Sequence, residues 1–279
     1  MTMTTFPLFA LFGALWVARA ADCGGCWCIN GTDPCPDWEP FTGYDADDVA
    51  VWAAQEPLNP YLLDCNPYAD PDCTTTPPQQ LLDDEDSVCG LMYTDGSCAA
   101  YTLQTFASQA DADAAGAVVT HLRSCGVCST TQDLSVYVGN PDLTDASTTC
   151  GVIALLDAAR GLACFVELGF TEPCAAIWNA DAVYDASACG KVCARDAGAP
   201  YNGPPPQCEL SDCLQCDEDS AGPLFAQVGG RTRRRSGLES EEARLCNATA
   251  QLMQVPCAYP ARAATTAEAL SAGTHPSSQ

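Results

Sequence analysis

The chain has few basic residues and almost no histidine. Of its 279 residues, 11 are Lys or Arg and 36 are Asp or Glu, which gives a net charge of −25. A surface of this sign repels nucleic acid and anionic lipid, because both are bound through cations that displace counterions. Lys191 is the one lysine, and there are two histidines, so the usual bases of neutral-pH catalysis are scarce. The composition therefore argues against nucleic-acid partners and against histidine-dependent enzymes.

Long uninterrupted apolar runs are also missing. Phe6 to Val17 is too short to cross a bilayer, which takes about 20 residues, and Ala18-Arg19-Ala20 follows it with the pattern of a signal peptidase site. The stretch 151–170 is apolar but carries three charged residues. We therefore predict a signal peptide over residues 1–20, no membrane insertion, and a secreted, extracellular mature protein.

Cysteine is abundant instead. The chain has 20 cysteines, eight of them at or before Cys98 and twelve at or after Cys125. An even number behind a signal peptide predicts disulfide bonds rather than a zinc site, which would need more histidines. Because both groups are even, we expect that all cysteines are paired and that no disulfide crosses residue 105.

The composition and periodicity of the sequence change near residue 105. Residues 21–104 are rich in Cys, Asp and Pro with little periodicity, and we predict an irregular region held by disulfides. Residues 105–257 show helical periodicity, and residues 258–279 have the composition of a disordered tail. The predicted fold class is mainly α: a disulfide-crosslinked helical domain, preceded by the irregular region.

Four helices are expected in the second region. The first covers Ala115 to Leu122, preceded by a capping box at Ser108 and Asp111. The second carries an apolar stripe from Val152 to Val166. Gly161 within it lowers the stability of the helix by about 1 kcal/mol relative to Ala. A third begins after Thr171, with Cys174, Ile177 and Trp178 on one face, and a fourth covers Ser240 to Met253.

Two kinds of motif come close to known sites. Three CxxC pairs occur, at Cys23–Cys26, Cys125–Cys128 and Cys213–Cys216. A redox motif of this kind normally lies in a βαβ unit, and no such pattern precedes any of the three. Asp45, Asp47 and Asp48 resemble the start of a calcium loop, but Val49 and Ala50 stand where such a loop has its fifth-position ligand and its glycine. These three aspartates are the candidates for weakly bound calcium; no other cofactor is expected.

Modification and processing signals complete the candidate sites. Asn30 and Asn247 lie in glycosylation sequons. A basic cluster is formed by Arg231, Arg233, Arg234 and Arg235. We favour the interpretation that these arginines form salt bridges with acidic side chains of the same protein. The alternatives are a processing site cut after Arg234 or Arg235 and a contact for an anion.

The residues give no catalytic assignment. His121 is the one histidine before the tail, and its place at the end of a predicted helix favours contacts with backbone carbonyls over a role as a base. Paired carboxylates leave open a glycosidase-type hydrolase. The stretch His121 to Tyr137, together with residues 216–238, resembles uncharacterised secreted cysteine-rich proteins of microbial eukaryotes, a resemblance that implies no activity.

The sequence thus predicts a secreted acidic protein that acts as a non-enzymatic binding or structural module with an unknown extracellular partner. One alternative is a helical carrier of a small apolar ligand, which requires a cavity larger than about 300 Å³ lined by the Val152–Val166 stripe. Another is a secreted carboxylate-dependent hydrolase, which requires a buried pair of carboxylates with raised pKa values.

Overall fold

The computed structural model describes residues 43–82, 85–204, 209–238, 240–244 and 248–256. The predicted signal peptide, Asn30, Asn247, the Cys23–Cys26 pair and the tail lie outside these ranges. The described residues form ten helices and a four-stranded sheet. The prediction of a mainly α protein is therefore correct in outline, but it missed the sheet.

The sheet and the first helix lie largely in the region predicted to be irregular. Helix α1 (Ala46–Ala54) is followed by strands β1 (Glu56–Pro57), β2 (Val88–Tyr93) and β3 (Ala100–Phe106). β2 and β3 pair as an antiparallel hairpin, and β1 lies parallel to the outer edge of β3. The prediction of an irregular region was wrong here. β2 is buried along most of its length and so lacks a period of two, whereas the first five residues of β3 alternate between buried and less buried positions, a pattern that the sequence analysis missed.

Most of the segment 115–122, which was expected to be helical, forms a further strand instead. A short helix α2 (Gln109–Ala114) begins at Ser108, whose hydroxyl accepts a hydrogen bond from the Asp111 amide as predicted. Gly116 then adopts φ +72°, which ends the helix. The β-branched residues that follow form β4 (Val118–Leu122), which completes the sheet order β1-β3-β2-β4.

The helical part consists of α3 (Thr131–Gly139) and seven further helices: α4 (Thr144–Leu156), α5 (Ala158–Glu167), α6 (Glu172–Ala188), α7 (Gly190–Arg195), α8 (Asp212–Ser220), α9 (Gly222–Gly229) and α10 (Arg233–Ser236). α6 begins after Thr171 as predicted, and Cys174 and Ile177 are fully buried. The helix predicted over 240–253 is not found in the part of that range that the structure describes: residues 240–244 and 249–253 are not helical, and residue 248 lies in a 3₁₀ turn.

The expected helix over 152–166 is two helices, and its stripe is not the buried face. Asp157 is extended, at φ −157° and ψ 103°, and its carboxylate caps α5. Because the helix is interrupted there, the apolar residues on either side do not share one face. Val152, Leu155 and Leu156 are more than half exposed, whereas Gly161 and Phe165 are buried.

The disulfides link the two regions. All thirteen cysteines among the described residues are bonded, Cys98 among them. The other twelve form six described pairs: Cys65–Cys73, Cys89–Cys125, Cys128–Cys174, Cys150–Cys164, Cys189–Cys216 and Cys193–Cys213. The Cys89–Cys125 bond joins β2 to the segment after β4, so the prediction that no disulfide crosses residue 105 was wrong.

One hydrophobic core continues through both regions. It includes Trp52 and Leu91 from the first region and Phe165, Ile177 and Phe225 from the second. The disulfide content is consistent with an extracellular protein. Among the helices that the structure describes, none has the length and apolar character needed to span a membrane.

Candidate functional site

A cavity of about 430 Å³ lies between α4, α6, α8 and α9. Its apolar wall brings together residues that are far apart in the chain: Leu143, Val152, Leu155, Trp178, Leu214, Phe225 and Leu238. Val152 and Leu155 belong to the stripe that was predicted to be core. They are exposed because they face this cavity and its surroundings rather than a neighbouring helix.

Trp178 stands at the centre of the aromatic side of the cavity. Its indole ring makes an edge contact with Phe225 at 4.9 Å and lies 5.7 Å from the ring of Phe170 and 6.0 Å from that of Phe165. The Tyr137 ring is 6.2 Å away and also lines the cavity. These contacts hold the indole from several sides and so fix the aromatic wall.

Three aspartates form a polar part of the lining, here called the polar end. Asp181 and Asp185 come from successive turns of α6, and Asp217 comes from α8. Burial raises the pKa of Asp217 to about 8, and repulsion from the other two carboxylates adds to this. Burial also raises the pKa of Asp181 to about 7 and, less strongly, the pKa of Asp185. A share of these groups therefore keeps its proton at neutral pH.

Tyr68 connects the polar end to the loop closed by Cys65–Cys73. Its hydroxyl oxygen lies 2.6 Å from Asp181 Oδ1 and 2.8 Å from the carbonyl oxygen of Ala221. The Ala221 carbonyl oxygen also accepts a hydrogen bond from the Phe225 amide at 3.2 Å, so it is satisfied whichever acceptor the Tyr68 hydroxyl serves. Burial raises the pKa of Asp181, and the hydrogen bond from Tyr68 offsets only part of that rise.

The arginines that line the cavity already have acceptors. Glu218 pairs with Arg234 and, at 3.0 Å, with Arg244, and Arg244 also pairs with Glu242 at 2.6 Å. Within the described part of the chain, no basic side chain forms a salt bridge with Asp181, Asp185 or Asp217. The three aspartates are thus the uncompensated acidic groups of the cavity.

Unsatisfied polar atoms concentrate at the same place. Six buried side-chain nitrogen or oxygen atoms among the described residues have no hydrogen-bond partner. Four of them belong to residues that line the cavity: Tyr137 Oη, Trp178 Nε1, Asp185 Oδ1 and Arg244 Nε. The Tyr137 hydroxyl and the Trp178 indole N–H lie close enough to interact with each other. None of the four atoms presents accessible surface to the cavity, so a bound molecule could reach them only if the wall rearranged.

The basic cluster lies beside this cavity, but most of its side chains make contacts within the protein rather than with solvent. Arg231 is fully buried and donates to the carbonyl oxygens of Cys128, Ser129 and Thr120 and to the hydroxyls of Thr120 and Ser236. Burial lowers its pKa to about 10. Arg231 therefore fastens β4 to the start of α3 and to α10.

The other three arginines of the cluster lie in α10. Arg233 donates to two carbonyl oxygens at the end of α3, and Arg235 donates to two near the end of α9. Arg234 is bound by Glu218. A protease needs an extended substrate, so cleavage after Arg234 or Arg235 requires α10 to unfold first.

His121 lies in β4 rather than at the end of a helix, and it is fully buried. Its Nε2 is 2.7 Å from Ser129 Oγ and its Nδ1 is 2.9 Å from the Leu122 carbonyl oxygen. Burial and the nearby Arg231 hold its pKa well below the usual value, so the ring is neutral. Although this is a serine–histidine pair, a backbone carbonyl stands where a catalytic carboxylate would be, and both residues are 0% exposed.

The calcium candidates serve as a helix cap. Asp45 Oδ1 accepts hydrogen bonds from the amides of Asp47 and Asp48, and the Asp48 carboxylate accepts one from the Asp45 amide. Two of the three carboxylates are thus used in a capping box at the start of α1. Nowhere in the described ranges do three or more His, Cys, Asp or Glu side chains come together in a way that could hold a metal ion.

The two described CxxC motifs hold structural cysteines. Cys125 and Cys128 bond to Cys89 and Cys174, not to each other. The cysteines at 213 and 216 likewise bond to two different partners on α7. Neither motif therefore contains the reversible internal disulfide of a redox site.

Sequence reasoning did not single out Asp181 and Asp185. A signal was present: with Trp178 they follow the helical spacing i, i+3, i+7, so they continue the buried face of α6 with acidic side chains. A carboxylate on an apolar stripe is unusual unless it is paired or functional.

Comparison with known proteins gives no activity. No curated protein and no solved structure matches the chain. The segment that begins at α5 and contains all three cavity aspartates does match a family model. Over residues 158–252 the chain is similar to a family of unknown function, DUF8771.

Proposed function

We propose that this protein is a secreted binding module that holds a small ligand with an apolar body in the cavity between α4, α6, α8 and α9. The observation that carries the proposal is the lining of this cavity, which combines an apolar and aromatic wall with three aspartates that form no described salt bridge. Burying carboxylates without a cation lowers stability, so a cavity that serves packing alone has no reason to collect three of them.

The size and wall of the cavity support a ligand of drug-like dimensions. Its volume of about 430 Å³ lies within the range of roughly 300–1,000 Å³ that is typical of small-molecule sites. An apolar wall with a few polar groups at one end is the usual composition of such sites. Because Trp178 is held by three other rings, the wall is already formed without a ligand.

Binding can be tested with the neutral apolar dye N-phenyl-1-naphthylamine, whose fluorescence rises in an apolar environment. We expect one dye molecule to bind per protein and Ala182→Phe, which fills the cavity, to abolish binding. Ala188→Phe is the matched control, because Ala188 is on the same helix but is exposed and does not line the cavity. Circular dichroism checks that both variants fold. Equal dye binding by Ala182→Phe and the wild type would overturn the proposal.

A carboxylate-dependent hydrolase is the second candidate. It is favoured by the raised pKa values of Asp181 and Asp217, since a general acid must keep its proton at neutral pH. The two functions are separated by incubating the protein with a ligand found by dye displacement. A hydrolase converts the ligand and loses conversion in Asp217→Asn while it still binds, whereas a binding module returns the ligand unchanged.

A further inference from the structure

We propose that the Cys193–Cys213 disulfide acts as a redox-sensitive latch on the cavity: a small thiol reduces this bond ahead of the buried disulfides, and the α8 wall then loses its hold on the ligand. The loss of ligand rests on the proposed binding function, whereas the selective reduction does not. Two features support this latch: the position of the disulfide and the way in which α8 is held.

Cys193 and Cys213 differ from the other described cysteines in their position. They are the two that line the cavity, and neither is buried. Four of the other five described pairs contain at least one buried cysteine, and Cys65–Cys73 is the fifth. Because reduction requires direct attack on a sulfur atom, a dissolved thiol reaches the Cys193–Cys213 bond more readily than the four buried pairs.

The α8 wall is held by crosslinks rather than by a buried core. α8 contributes Leu214, Asp217 and Glu218 to the cavity lining, yet no residue of α8 or of α7 is buried. Helices normally draw most of their stability from an apolar face that packs against the protein. For α8, the Cys193–Cys213 and Cys189–Cys216 bonds take over part of this role, together with the ion pairs of Glu218.

The first turn of α8 depends most on the latch. It is also held by a hydrogen bond of 2.8 Å from the Cys213 amide to Asp196 Oδ2. A second bond of 2.8 Å runs from the Ser211 amide to the carbonyl oxygen of Tyr201. These groups are only partly buried, so water competes for them, and they constrain the turn less than a covalent bond does. Leu214 lies in this turn, so reduction makes it easier for Leu214 to leave the cavity wall.

The reaction is thiol–disulfide exchange with a dithiol. A thiolate of the reductant attacks Sγ of Cys193 or Cys213, the S–S bond breaks, and the other cysteine leaves as a thiolate that takes up a proton. The second thiol of the reductant then attacks the mixed disulfide, which frees the first cysteine and closes a disulfide within the reductant. The reductant thus loses the two electrons that the cysteine pair gains. A ligand in the cavity covers one approach to the bond and slows the first step.

Selective reduction can be measured on the full chain with dithiothreitol, by trapping free thiols with N-ethylmaleimide and mapping them by mass spectrometry. We expect labelling of Cys193 and Cys213 at least about tenfold faster than labelling of the four buried pairs. N-phenyl-1-naphthylamine that fills about nine-tenths of the cavities should slow this labelling at least about threefold. Cys65–Cys73 is the matched control, because it is partly exposed but does not line the cavity, and the dye should leave its labelling unchanged. Labelling of a buried pair first, or of all pairs together, would overturn the latch.

Release of the ligand is tested by titrating the dye before and after this mild reduction. The wild type should lose at least about fivefold in dye affinity. A Cys193→Ser, Cys213→Ser double variant, checked for folding by circular dichroism, should already bind the dye that much more weakly and lose nothing further on reduction. Unchanged affinity of the reduced wild type, or a further loss in the double variant, would show that another bond controls the cavity. Absence of dye binding by the oxidised wild type would remove the proposed function and the release of ligand together, whereas the order of labelling decides selective reduction by itself.

Discussion

Arg231 donates hydrogen bonds to both the carbonyl oxygen and the hydroxyl of Thr120, at 3.1 and 2.6 Å, although 111 residues separate them. These bonds secure the end of the sheet to the α10 region without any exposed contact. We expect Arg231→Lys to lower the free energy of unfolding by about 2–4 kcal/mol, because lysine cannot reach all the acceptors that the guanidinium serves. Urea denaturation measures the loss. Arg160→Lys, at an exposed position, should change stability by less than about 0.5 kcal/mol.

Gly161 should not tolerate alanine. A Cβ at this position would lie 2.4 Å from Ala154 Cβ and 2.4 Å from Asn179 Oδ1, on α4 and α6. We expect Gly161→Ala to destabilise the protein by about 1–3 kcal/mol, the cost of overpacking, although helix propensity alone predicts a gain. Gly190→Ala is the control, because its Cβ would meet nothing within 4 Å. A thermal melt in which Gly161→Ala is at least as stable as the wild type would contradict the close approach of the three helices.

The free energy of unfolding should fall as pH rises from about 4 to 8. Asp181 and Asp217 have folded-state pKa values of about 7 and 8, well above the value near 3.9 in an unfolded chain. The folded state therefore binds these protons more tightly, and the stability they contribute is lost as pH rises through the folded-state pKa values.

Asp217→Asn tests this dependence, because an amide mimics the protonated carboxyl. We expect the variant to match the wild type at or below about pH 4, where the carboxyl is protonated in both states, and to exceed its stability by about 1–3 kcal/mol near pH 9. The opposite pH dependence of buried His121 is shared by both proteins and cancels in the comparison. Asp219→Asn should follow the wild type throughout, and parallel curves for Asp217→Asn would show that Asp217 titrates normally.

The Cys89–Cys125 disulfide should join the two regions covalently in the native protein. Peptide mapping without reduction should recover a linked fragment that contains both cysteines. Replacing both with alanine should cost about 2–5 kcal/mol, since the bond is buried and closes a 36-residue separation. The same replacement at Cys65–Cys73, which closes only eight residues, should cost less. Finding residues 89 and 125 in separate, unlinked peptides would exclude this pairing.

The sequence predicts elements with strong local signals and misses those that depend on distant contacts. α6 was predictable because Thr171-Glu172-Pro173 marks a helix start and Cys174 and Ile177 follow on one face. β4 was mistaken for a helix because four apolar residues coincided with helical spacing, while the left-handed turn at Gly116 ends the real helix earlier. The described residues 240–244 are held in non-helical form by partners elsewhere, such as the bond from the Ala243 amide to Asn202.

The packing of α4 and α5 shows why apolar patterns misled. These helices approach their neighbours through small residues, Gly151, Ala154 and Gly161, which a hydrophobic stripe does not reveal. Val152, Leu155 and Leu156 of α4 are thereby left at the cavity and the surface, whereas Phe165 of α5 remains buried. The candidate site was invisible for a related reason: its acidic end is assembled from α6 and α8, and only folding brings Asp181 and Asp217 together.

Three of the disulfides described above make the cavity sensitive to reducing conditions. Cys150–Cys164 fastens α4 to α5, while Cys193–Cys213 fastens α8 to α7 and Cys189–Cys216 fastens it to the residue before α7. Because α4 and α8 both line the cavity, reduction removes the crosslinks behind two of its walls at once.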